Sequence, residues 1–150
     1  MTNQPLLIVW SALAVSQVIY LLVPAPPART ASTLPDAFPM ALGTVALLEA
    51  VGIVALLRVR AFAPVQSGRI DPTSKSGAAQ LFTSLILAWV LAESIAIYGL
   101  VLRFLHFSST AWAPFAAAGA FLLILGRPWH PKLRKPVSSS DIARSGAPIQ

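Results

Sequence analysis

The sequence predicts an all-α membrane protein: four transmembrane helices in a bundle, with both termini in the cytoplasm. Three observations carry that expectation. Of 150 residues, 56% are hydrophobic and only 11% charged, whereas a soluble domain averages about 25% charged residues. Mean hydropathy is +0.72, and so small a chain has no core large enough to hide that apolar surface, so lipid is the expected solvent. Finally, the apolar residues fall into four runs near the roughly 20 residues that a membrane helix needs.

The first span covers about residues 6–23, is uncharged, and ends at Pro24-Ala25-Pro26-Pro27. It also suits a signal peptide, but Met1–Pro5 holds no Lys or Arg and the run is long for a signal core, which favours a retained helix. The second span, 40–57, is interrupted only by Glu49, and the third, 81–102, only by Glu93. The fourth covers 109–125 and closes at Gly126-Arg127-Pro128. Residues 1–127 thus form a transmembrane domain, and 128–150 a basic, Ser/Pro-rich tail expected to be disordered in the cytoplasm.

Charge sets the orientation. The 58–80 connection and the tail lie on one side of a four-span chain and hold nine of its eleven Lys and Arg residues. Positive residues favour the cytoplasm, so the expected location is a bacterial inner membrane, crossed several times. A net charge of +6 is accounted for by topology and anionic headgroups, and nucleic acid is not an expected partner. The partners expected are the lipid bilayer and either further copies of the chain or other membrane subunits. The absence of cysteine excludes disulfides, thiolate metal sites and thiol catalysis. No phosphate loop and no serine–histidine–acid arrangement is present, and His106 and His130 stand apart from any carboxylate, so neither enzyme activity, a metal nor a cofactor is expected.

The chemistry is concentrated in the chain's two glutamates, each near the middle of an apolar span. An ionised carboxylate at that depth costs about 2.5–3.5 kcal/mol even on the lenient insertion scale. Neither span holds a Lys or Arg to neutralise it. A carboxyl that keeps its proton, or one bound to a small cation, is what remains. Ser94 and Tyr98, at i and i+4, put two hydroxyls on one helix face, and both are expected to flank Glu93. Ala88, Ala92, Ala96 and Gly99 form a stripe of small residues that lets a neighbouring backbone approach. Trp10, Tyr20, Trp112 and Trp129 read as interface anchors, and Arg103 as a side chain snorkelling to the outer headgroups.

The segment Ala92-Glu93-Ser94, followed by Ile97-Tyr98-Gly99-Leu100-Val101, with Gln80-Leu81-Phe82-Thr83 upstream, resembles the ion-binding outer helix of the c subunit, or proteolipid, of rotary ATP synthases. The resemblance implies that Glu93 binds and releases the transported ion, that Ser94 and Tyr98 help close the site, and that Glu49 faces Glu93 from the inner helix. It also implies assembly into an ion-driven ring. Ile95 replaces the threonine of sodium-binding members, which points to a proton. The inner helix keeps only Ala41, Gly43, Ala50 and Gly52 of the family's glycine run, and two extra spans flank the hairpin. The alternative is a small structural or assembly protein whose glutamates only pair helices.

Overall fold

A computed structural model describes residues 4–24, 27, 34–35, 37–130 and 133. It contains four helical rods: α1 (Gln4–Leu22), α2 (Ala37–Gln66), α3 (Lys75–Phe104) and α4 (Ser109–Leu125). The first three are long and apolar enough to cross a membrane, and the fourth is apolar but shorter, at 17 residues. The architecture is all-α, and its surface is that of a protein dissolved in lipid. Met40, Leu22, Leu48 and Ile8 are all more than two-thirds exposed, while Gln17, Ser84 and Glu93 are buried. Water as solvent would favour the reverse.

α2 and α3 extend beyond the spans that hydropathy marked. The segment expected to leave the second span at Arg58 stays helical to Gln66, so the connection shrinks to Ser67–Ser74. The reason is packing. Leu57, Ala61, Phe62 and Val65 are buried on one side of the extension, while Arg58, Val59 and Arg60 face out. The charges end the apolar run without ending the helix. Residues Leu57–Phe62 adopt a π-helical turn, in which the Ala63 N–H reaches Arg58 O. Pro64 follows directly and has no N–H to offer Arg60, the usual circumstance for such a departure.

α3 begins at a built cap. Ser74 Oγ accepts the Gly77 N–H at 3.1 Å, and Asp71 Oδ1 accepts the Thr73 N–H at 2.9 Å. A Cβ on Gly77 would lie 2.2 Å from Asp71 O, so only glycine fits there.

α3 is the central rod, packing on α1, α2 and α4, whereas α1 and α2 do not touch each other among the described residues. Its closest partner is α4. Ala88, Ala92, Ala96 and Gly99 are all buried, and α4 lies against this stripe. A Cβ on Gly99 would sit 2.9 Å from Trp112 O, and one on Gly119 would sit 2.9 Å from Ala92 O and from the Ala96 Cβ. Contacts pairing Ser16 with Glu93 and Tyr20 with Arg103 set α1 parallel to α3. Stacking of Phe38 on Phe107 and of Phe62 on His130 sets α2 antiparallel to it.

The aromatic residues mostly turn inward. Trp89 is fully buried and donates to Gly126 O at 2.9 Å, closing the C-terminal end of α4. Trp10 donates its indole N–H to Leu123 O at 3.0 Å, and its ring meets Trp129 edge-on at 4.7 Å. Pro128 is buried and His130 stacks on Phe62, so the bundle continues past the expected boundary at residue 127. Most of the expected tail lies outside the described residues.

The packing gives a direct test. Gly119→Ala forces α3 and α4 apart and is expected to cost about 1–3 kcal/mol, as overpacking does. Gly52→Ala meets nothing within 4 Å and is expected to be neutral or mildly stabilising. Reversible unfolding in mild detergent measures both.

Candidate functional site

The two glutamates occupy two separate sites on opposite flanks of α3. Glu93 projects from α3 toward α1. Its Oε1 is hydrogen-bonded to Ser16 Oγ, its Oε2 accepts from Gln17 Nε2 at 3.1 Å, and Tyr20 lies beside the carboxyl. Both Glu93 and Gln17 are buried. Glu49 projects from α2 toward α3. The Tyr98 hydroxyl donates to its Oε1 at 2.8 Å, and Ser94 Oγ lies 2.9 Å from its Oε2. Glu49 is only half-buried, between the exposed Leu48 and the half-buried Ala50.

This corrects the sequence expectation. Ser94 and Tyr98 do not flank Glu93; they belong to Glu49. Glu93 is held by Ser16 and Gln17, neither of which was singled out, with Tyr20, read above as an interface anchor, beside it, and the expected shared site becomes two. Helix geometry explains the error. At about 100° per residue, Ser94 points about 100° away from Glu93, and Tyr98, five residues on, about 140° away. The two hydroxyls share a face, and the carboxyl lies on another.

A signal for the missing residues is present in the sequence. Leu13–Val23 and Leu91–Val101 are identical at seven of eleven aligned positions: Leu13/Leu91, Ala14/Ala92, Ser16/Ser94, Ile19/Ile97, Tyr20/Tyr98, Leu22/Leu100 and Val23/Val101. The hydrogen bonds recur with the residues. Ser16 Oγ lies 2.7 Å from Leu13 O, and Ser94 Oγ lies 2.7 Å from Leu91 O. In each copy the serine bonds the carboxyl of a neighbouring helix, with the tyrosine one turn on beside it; Tyr98 bonds the second carboxyl oxygen in one, and Gln17 does so in the other. α1 is a grip without an acid, since Val15 aligns with Glu93. α2 carries an acid, and α3 carries both.

Each serine sits between two acceptors, its own helix's i−3 carbonyl and a carboxylate oxygen, yet a hydroxyl has one proton to give. Both contacts are fully made only if the serine donates to the carbonyl and receives a proton from the glutamate. The tyrosine or glutamine then donates to the other carboxyl oxygen. A protonated carboxyl satisfies every partner, whereas an ionised one leaves one serine contact without a proton.

Arg103 sits at the end where α1 and α3 both finish. Its Nη1 donates to Leu21 O at 2.8 Å and Tyr20 O at 3.2 Å, closing the C-terminal end of α1, and its guanidinium lies 5.2 Å from the centre of the Trp112 ring. Cations at a helix C-terminus are stabilised by the exposed carbonyls. His106 lies in the α3–α4 turn at φ +62°, and no group of three metal-ligating side chains forms among the described residues. The chain matches no protein-family model, no curated protein and no solved structure.

Double-mutant cycles separate the two sites. Tyr98→Phe and Glu49→Gln are expected to couple by about 0.6–1.7 kcal/mol, the range for hydrogen bonds between membrane helices. Tyr98→Phe and Glu93→Gln are expected to be additive. Coupling of Tyr98 to Glu93 instead would restore the arrangement first expected.

Proposed function

We propose that this chain is a four-span membrane protein that takes up and releases protons at Glu93 and Glu49, acting as an ion-translocating subunit similar to the rotary proteolipids. The hydrogen-bond count at the two serines supports the reading: each has its own i−3 carbonyl to donate to, so a protonated carboxyl would leave every neighbour satisfied. Supporting it are the mid-span positions of both acids and the lack of any basic side chain bonded to either among the described residues. The donors are hydroxyls and an amide. These can reorient as a proton leaves, which a fixed cation partner would oppose.

One observation favours a second reading, in which the acids only fasten helices together. Glu93 ties α1 to α3 and Glu49 ties α2 to α3, and every carboxyl oxygen is used within the chain. The amide of glutamine distinguishes the two. It can still accept from tyrosine and donate to serine, but it carries no exchangeable acid proton. Glu93→Gln and Glu49→Gln are therefore expected to leave the bundle folded while abolishing proton flux into proteoliposomes under an imposed potential, read with an internal pH dye. Full flux in both variants would leave the fastening role. A hydrophobic carbodiimide, which needs a protonated carboxyl and access from lipid, is expected to modify Glu49 faster than Glu93, because Glu93 is sealed against α1.

The proposed orientation places the end bearing Arg58, Arg60, Arg69, Lys75 and Arg127 in the cytoplasm. In intact cells, Ser32→Cys is expected to react with an impermeant maleimide and Ser67→Cys to react only after the membrane is opened. The reverse pattern would invert the topology.

A further inference from the structure

A cleft of about 260 Å³ separates α1 from the α3–α4 pair. Its floor is made of the smallest residues in the two inner helices, Ala96, Gly99 and Ala120, which leave α1 standing away from them. It is lined from Leu21 at one end to Trp10 at the other. The eleven steps from Trp10 to Leu21 at about 1.5 Å each give a length of roughly 16 Å, which is about half of a ~30 Å hydrocarbon layer. The cleft is therefore about as long as one leaflet is deep. Its only charged lining residue is Arg103, at the end where α1 and α3 both finish.

We propose that this cleft holds one acyl chain of an anionic phospholipid, whose phosphate is bound by Arg103. The apolar floor matches the chain and the cation matches the headgroup. Only Nη1 of the guanidinium is taken by the α1 carbonyls, and its other N–H groups suit a phosphate, which arginine binds through charge-assisted hydrogen bonds. A neutral lipid of the same chain length would fill the cleft but bring no net charge to the cation. The bound chain would lie against Gln17 and Tyr20, which also line the cleft; Gln17 is the amide that donates to Glu93. The inference rests on the membrane reading alone and is independent of proton transfer.

The test uses the full chain, exchanged in mild detergent into an equimolar mixture of phosphatidylglycerol and phosphatidylcholine with identical acyl chains. Native mass spectrometry then counts the lipids retained. The wild type is expected to keep one phosphatidylglycerol per chain. Arg103→Gln is expected to lower the retained ratio of anionic to neutral lipid about tenfold, the scale of losing a charge-assisted hydrogen bond. Ala120→Phe fills the cleft while leaving Arg103 in place, and is expected to expel the lipid of either kind. It also keeps the test decisive if Arg103→Gln fails to fold. Retention of both lipids equally by the wild type, or undiminished phosphatidylglycerol in a folded Ala120→Phe variant, would overturn the proposal in favour of ordinary boundary lipid.

Discussion

A carboxyl group in the middle of a bilayer has no water to turn to, and the arrangement of this protein follows from that constraint. Each of the two glutamates must find hydrogen-bond partners on another helix, because its own helix has committed its backbone groups to the i→i−4 ladder. Glu93 finds them on α1 and Glu49 on α3. These two sets of bonds fix helices that apolar contact alone would leave free to rotate, since lipid tails are as good a neighbour for leucine as another helix is. α1 shows this most clearly, for its one buried residue is Gln17, a partner of Glu93.

The close approach of α3 and α4 works by a different force. Gly99 and Gly119, set against Ala92 and Ala96, bring the two backbones within reach of each other, and dispersion between tightly fitted surfaces holds them. This pair forms the close-packed centre, and α1 and α2 are joined to it by the glutamate bonds as well as by apolar contacts.

The recurrence of one serine–tyrosine grip gives the chain a directional logic. α1 offers a grip and has valine where the acid would be, α3 both receives and offers, and α2 only receives. Both glutamates are thus bonded within a single chain.

The sequence by itself determined much of this. Four apolar runs required an all-α membrane protein, because only helices satisfy their own backbone in lipid over such lengths. Glu49 and Glu93 were conspicuous because ionisable residues are costly there, and the Ala88–Gly99 stripe announced a close helix contact. What the sequence left open was direction. It put Ser94 and Tyr98 on one face of α3 without saying that the face looks toward α2, and it ended the second apolar run at Arg58 although the helix continues to Gln66. Which helix a face meets is a property of three-dimensional packing. Two residues adjacent in sequence diverge by about 100° around the axis, so Glu93 and Ser94 could be neighbours in the chain and still belong to different sites. Only the tertiary structure decided that.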